Sequence, residues 1–303
     1  MKKNVIFLLL ADLIWGAAFV AQRTGGDVVG AYSFNSIRNI MGFLVLLPIL
    51  LIGRRRKAQQ PLQTGKIILG GIICGTALFF ASNLQQLGIT MGSSVGKAGF
   101  LTACYILLVP IFGLVLGKKT HWNVLIGVFL ALIGLYFLCM TEGSFRVQTS
   151  DILLLLSAVS FAVQILAIDH FAPQVDAIFL SALEFLVCGI ESAIPMFLFD
   201  IAPAPQSWLH VLASWEAWIP LLYAGICSSG IAYTLQTAGQ RGLHPTVASL
   251  IMSLESVFSI LFGWLLLHER LSSREIAGCI TIFVAVTIAQ LVPSEKDRIT
   301  EPA

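Results

Sequence analysis

The sequence predicts an all-α integral membrane protein with ten transmembrane helices in two inverted five-helix repeats. Three observations carry this reading. Of 303 residues, 57% are hydrophobic and 11% charged. A soluble domain carries about 25% charged residues, so there is too little polar surface here to cover a water-soluble globule. Apolar runs recur every 25–30 residues along the chain, each close to the ~20 residues needed to cross a bilayer. Finally, residues 84–127 and 235–278 share one layout at a constant shift of 151 positions.

That shift superimposes Leu84-Gln85 on Leu235-Gln236, Gly88 on Gly239 and Gly127 on Gly278. Only 6 of the 44 pairs are identical, so the argument rests on order: polar patch, short turn, long apolar run, charged turn, Gly-containing apolar run. A repeat of this length sets the architecture. The first two runs map onto the sixth and seventh with a shift of 146, which places Arg38 opposite Glu184. Each half then holds five helices. Five is odd, so the second half enters the membrane upside down relative to the first. Inverted halves of this kind are the hallmark of secondary transporters, whose substrate site lies near the midplane between them.

The apolar runs are expected to be helices, because backbone groups in lipid must pair within the segment. Barrel strands of ~10 residues with alternating polarity are not seen. The predicted spans are 4–22, 31–52, 67–89, 94–116, 121–140, 151–169, 177–199, 218–240, 245–267 and 273–292. They group as repeats 4–140 and 151–292, followed by a polar tail, 293–303. The longest connection runs from Asp200 to Trp218 and carries Pro203 and Pro205. In the first half, nine Lys and Arg residues (Lys2, Lys3, Arg54, Arg55, Arg56, Lys57, Lys66, Lys118, Lys119) fall on one side against Arg23 and Arg146 on the other. The positive-inside rule then puts both termini in the cytoplasm. The N-terminal run contains Asp12 and no clear small-residue cleavage site, so it is read as the first span and not as a removed leader.

Net charge is +2, which suggests no nucleic-acid partner. The six cysteines lie inside apolar runs and form no CxxC or Cys/His cluster, so buried free thiols are expected. His121, His170, His210, His244 and His268 lie near helix ends without partners at ligand spacing. No catalytic set, metal site or cofactor is expected, and an intramembrane enzyme is disfavoured. There is no GxxxxGK[ST] phosphate loop to support ATP drive. The expected partners are a small-molecule substrate and the lipid bilayer; a homodimer is compatible with the sequence.

A more specific pattern lies in WGAAFV of the first span, SFNSIRNIMGFL of the second, AGFLTACYILLVPIFG of the fourth, DILLLLSAVSFAVQILAIDHFA of the sixth and SLESVFSILFGWLLLHERLSSREIAG across the ninth and tenth. With these the chain resembles the drug/metabolite transporter (DMT) superfamily, EamA type, over about residues 5–292. The resemblance implies a central cavity and export or exchange of small metabolites, such as amino acids or drugs, across the cell (inner) membrane by alternating access. A channel-like facilitator built from the same halves is the alternative. Three positions depart from the family pattern: Phe161 stands where Trp is usual, Ser256 follows Glu255 where Pro is usual, and His268-Glu269 replaces Gly-Glu.

Polar groups inside the spans are the informative ones, since an ionisable residue at mid-membrane costs on the order of 3 kcal/mol even on lenient scales. Glu255, about ten residues into its span, is a candidate to bind a cationic group or carry a coupling proton, or to be a hydrogen-bonded structural acid. Lys97 is a candidate to attract an anionic group, or to snorkel to the outer interface. Asp12 lies three residues before Trp15, hence on the same side of the first helix, and is a candidate for the cavity wall or for a structural hydrogen bond. Arg38 and Glu184, each a few turns from its own membrane face, are not expected to pair, and structural and gating roles stay open for both. Glu191 is read as structural. The substrate cavity is expected to draw on Trp15, Asn83, Gln85, Tyr105, Gln164, Tyr233, Gln236 and Glu255, because pockets combine apolar walls with a few placed polar groups. The competing reading of these neutral groups is interhelical hydrogen bonding. Gly71/Gly75 and Gly92/Gly96 have the spacing of close helix packing. Pro48, Pro110, Pro195 and Pro220 mark bends.

Overall fold

Every predicted run is helical over its described residues. The computed structural model describes residues 2–56, 64–93, 95–118, 120, 122–139, 148–267 and 272–290. The loop charges Lys57, Lys119, Arg146 and Arg270, the pair His268-Glu269, His121 and the tail 293–303 lie outside them. The first repeat comprises α1 (Lys2–Val29), α2 (Ala31–Arg56), α3 (Thr64–Thr90), α4 (Val95–Ala103) with α5 (Tyr105–Val115), and α6 (Trp122–Cys139). The second comprises α7 (Thr149–Phe171), α8 (Ala177–Pro195), α9 (Pro205–Leu212), α10 (Trp215–Leu222), α11 (Thr234–Gly239), α12 (Pro245–Met252), α13 (Glu255–Leu267) and α14 (Ser273–Gln290). No strand occurs among the described residues.

Among the described residues, eight helical segments are long and apolar enough to cross a membrane. The apolar stretches of α6 and α14, Val124–Gly134 and Ile276–Ile288, are shorter. Large apolar side chains such as Leu44, Ile52, Leu69, Leu114, Phe129, Ile194 and Leu265 point outward, while Asp12, Arg38, Gln164, Glu184 and Gln236 are buried. This inversion of the soluble pattern is the arrangement lipid selects: apolar surface meets the acyl chains and polar groups turn inward.

Packing pairs follow the repeat. α2 lies against α8, and α6 runs along α14; each is the counterpart of the other across the two halves. α3 wedges between α7 and α8, as the span Trp215–Gly239 does between α1 and α2. α1 packs on α13, and α7 packs on α4 and α5. Exchanging the halves therefore maps the bundle onto itself.

Glycines allow the close approaches. A Cβ on Gly71 or Gly75 would meet Leu183 at 2.6 Å or Val187 at 2.6 Å, so those two seat α3 on α8 as their spacing suggests. Gly92 is different: with φ +98° and nothing within 4 Å, it serves the turn after α3 and not a helix contact.

Two boundaries differ from expectation. α1 runs seven residues past its predicted end at 22, to Val29. Residues 23–29 are polar enough to be read as loop, but Arg23 and Asp27 pair at 3.2 Å across one turn and hold it helical. The Asp200–Trp218 connection is also structured: α9 starts at Pro205, where a fixed φ and a missing N–H cost nothing. Asp200 accepts from the backbone N of Ser33 at 2.6 Å and from its Oγ at 2.8 Å, and Trp208 Nε1 donates to the same Oγ at 2.9 Å. The connection is thereby tied to the start of α2.

The bends have a pattern. Pro195 and Pro220 each precede a π-helical stretch, Met196–Ile201 and Tyr223–Tyr233. A proline cannot donate to the helix ladder and pushes on the carbonyl four residues back, and a widened turn accommodates both effects. The fourth span of each half is interrupted at its middle, at Cys104 and at Ser253-Leu254. Tighter bonds spanning three residues bridge both gaps, Leu107 N to Cys104 O and Ser256 N to Ser253 O. The shift of 151 maps Cys104 onto Glu255, so the two interruptions are one feature of the repeat unit.

Candidate functional site

The interruptions meet at a cavity. Tyr105 opens α5 and Glu255 opens α13; the Tyr105 hydroxyl donates to Glu255 Oε1 at 3.1 Å. Trp15 from α1 stands beside them, its ring 4.8 Å from that of Tyr233 in an edge-on contact. Phe161 closes another side, 6.4 Å from Tyr105. Phe161, in the position where the family usually has Trp, is thus an aromatic wall of this cavity.

Polar groups enter between these rings. Gln236 Nε2 donates to Gln164 Oε1 at 3.2 Å, and Gln164 Nε2 donates to Glu184 Oε1 at 2.7 Å. Gln85 Nε2 donates to Thr102 Oγ1 at 3.2 Å. Gln22, Arg38 and Ser228 complete the polar lining, with Phe19, Ile165 and Met252 as apolar floor. The atom-free space among these side chains is about 430 Å³, counting the part that opens toward solvent. It is narrow, and anything much larger than water must move its walls.

Seven of the eight candidate cavity residues line this space: Trp15, Gln85, Tyr105, Gln164, Tyr233, Gln236 and Glu255. Asn83 does not. Its amide donates to Ser192 Oγ at 2.8 Å and its Oδ1 accepts from Asn35 at 3.2 Å. It ties α3 to α8 and α2, since two residues along a helix from Gln85 turn a side chain by about 200°, to the opposite face.

The charged candidates separate. Asp12 is fully buried behind the cavity wall, within electrostatic reach of Glu255, and neither of its carboxylate oxygens has a partner among the described residues. Lys97 neither faces the cavity nor snorkels. It pairs with Asp151 at 2.7 Å, and Asp151 also caps α7 by accepting from Gln148 N at 3.0 Å. An ion pair within reach satisfies the ammonium better than a stretch to the interface. Glu191 accepts from Thr76 Oγ1 at 2.7 Å, a link between α8 and α3.

Arg38 is the residue that sequence reasoning placed elsewhere. It is 2% exposed, lines the cavity and contacts the Phe34 ring at 5.8 Å. It forms no ion pair with Glu184 among the described residues. Depth along a helix had suggested a position near a membrane face. The available signal was the polar stripe Asn35, Arg38, Asn39 and Gly42, whose spacing marks one face of α2.

No group of three or more His, Cys, Asp or Glu side chains suited to a metal occurs among the described residues. Cys74, Cys104, Cys188, Cys227 and Cys279 form no disulfides.

Apolar helices in two repeats around a buried polar cavity have the build of a membrane transport protein. The chain belongs to the EamA-like transporter family, which matches residues 2–140 and again residues 148–290. An uncharacterized transporter of Archaeoglobus fulgidus is 28% identical over 285 residues, covering 94% of this chain and 84% of that protein. The uncharacterized transporter YoaV of Bacillus subtilis is 24% identical, covering 93% of this chain and 94% of its own. The chloroplastic WAT1-related protein At3g02690 of Arabidopsis thaliana is 24% identical, over 92% of this chain and 67% of its own. A solved crystal structure shares the fold with a TM-score of 0.76 at 18% identity, covering 99% of this chain and 100% of the other.

If the lining is drawn correctly, Gln85→Cys and Gln236→Cys in a background without other cysteines should react with small aqueous thiol reagents. Asn83→Cys, turned into the α3–α8 contact, should react at least about tenfold more slowly, as buried thiols do. Inertness of both glutamine positions would remove the cavity.

Proposed function

We propose that this protein is a secondary transporter that carries small organic metabolites across the cell membrane by alternating access, as an exporter or exchanger. The observation that supports this most is the position of the cavity. It lies where the interrupted fourth spans of both halves converge, with Tyr105 and Glu255 at the two interruptions. Interrupted helices at the interface of repeats are where carriers bind substrate, and a short break is a natural hinge.

In this reading all ten helices cross the membrane, α6 and α14 included, and both termini face the cytoplasm. The halves rock about the cavity. Trp15, Phe161 and Tyr233 supply apolar walls, Gln85, Gln164 and Gln236 orient polar groups, and Glu255 takes a cationic group or a coupling proton.

Counterflow in proteoliposomes tests this. Vesicles preloaded with one amino acid, nucleoside or polyamine are offered the labelled form of the same compound. A carrier accelerates uptake of its own substrate when that substrate waits on the far side; a channel-like facilitator does not. Leakage of every compound without this acceleration would sink the carrier reading.

A further inference from the structure

We infer that Arg38 is the subsite for a carboxylate, so that the solute carried is amphoteric, its anionic end on Arg38 and its cationic end on Glu255. This rests on the carrier reading and names the chemistry of the same cavity.

Arg38 is charged at any working pH and presents five donors in a rigid fork. Here its Nε is buried without a hydrogen-bond partner, and it makes no hydrogen bond or ion pair with any described residue. Its one contact of note is the Phe34 ring. Neither Glu184 nor Glu255 pairs with it among the described residues, although Glu184 Oε2 has no hydrogen-bond partner there. Glu184 Oε1 is taken by Gln164, and Glu255 Oε1 by Tyr105. A guanidinium taken out of water without a counter-ion is strongly unfavourable, yet this one lines the wall of the cavity. Its unmet donors match a planar carboxylate, which accepts two parallel bonds from such a fork.

The cavity is also polarised. Arg38 comes from α2 of the first half and Glu255 from α13 of the second, with Asp12 buried within electrostatic reach of Glu255. The aromatic rings of Trp15 and Tyr233 line the same cavity, suited to an apolar side chain. A purely cationic solute would leave Arg38 unmatched and repelled. A purely anionic one would face Glu255.

The test uses purified full-length protein and two matched series: L-phenylalanine, phenethylamine and 3-phenylpropanoate; and L-leucine, isopentylamine and 4-methylpentanoate. Binding is read as ligand-induced thermal stabilisation. In at least one series the amino acid should stabilise most, and the amine least. Arg38→Gln should weaken the amino acid by roughly 10- to 100-fold, the loss of a charge-assisted bond, and leave the amine unchanged. Arg38→Lys keeps the charge without the fork and covers the case in which Arg38→Gln fails to fold; it should weaken the amino acid by about tenfold on the same scale.

Failure of every carboxylate-bearing compound to stabilise the wild type overturns the proposal. So does equal amino-acid affinity in wild type and Arg38→Lys. Counterflow separates the two readings. An amino acid that binds through Arg38 but is never accelerated from the far side overturns transport alone. An amino acid that is accelerated equally in wild type and Arg38→Gln overturns the carboxylate subsite alone.

Discussion

Glu255→Gln is expected to cut transport far more than it cuts folded protein in the membrane. The carboxylate is 7% exposed, accepts from Tyr105 and opens α13 at the interruption. Glutamine keeps the size and an acceptor oxygen, so packing against α1 and α5 survives. What is lost is the ability to ionise, and with it the means to pair with a cation or to carry a proton. A hydrogen bond to a charged group contributes about 1.5–3 kcal/mol, which is roughly 10- to 100-fold in affinity or rate. Uptake into vesicles, normalised to the amount of folded protein, measures it. Parallel loss of both quantities would make Glu255 a structural acid and remove it from the mechanism.

The largest effect on stability is expected at Gly16. A Cβ there would stand 2.3 Å from the Cβ of Phe258 and 2.7 Å from its carbonyl carbon. Backbone cannot step aside as a flexible side chain can, so α1 and α13 must part. Overpacking typically costs about 1–3 kcal/mol and occasionally more. Gly16→Val, with two further methyls, should lie at or above the upper end, and little folded protein should survive detergent extraction. Gly65 is the control, since a Cβ there meets nothing within 4 Å. Gly65→Ala should melt within a degree or two of wild type, because surface changes typically stay within about 0.5 kcal/mol. If Gly16→Val melted with it, the contact of α1 with α13 would be wrongly drawn.

Much of this was legible in the chain. A shortage of charge and a rhythm of apolar runs are direct consequences of lipid as solvent, so the helical membrane class follows from composition. The shift of 151 linked Gln85 to Gln236, and both line the cavity. Rotation about each helix axis was harder to read. In water a helix shows its buried face by apolar periodicity; in lipid both faces are apolar, and only polar residues carry the signal. That is why Asn83 was placed beside Gln85, and why Arg38 was assigned by depth. Lys97 was misread for another reason: its partner Asp151 lies 54 residues away in the other repeat, and no local pattern announces a pair of that separation. The π-helical stretches were equally hidden, since Pro195 and Pro220 signal a bend but not its form.

The ion pairs of α7 bear on how the halves can move. One end of α7 is tied to α4 through Asp151 and Lys97, and the other end through Asp169 to Lys118, just beyond α5. Two latches, one toward each membrane surface, are thus fastened at the same time. Under the proposed alternating access, a cycle that parts α7 from one of these neighbours must unlatch one pair while the other holds. Ions in the bath screen such half-buried pairs only on the side they can reach, so if the protein works as proposed, raising salt on one side should loosen that pair alone and give turnover a sidedness that its substrate does not impose.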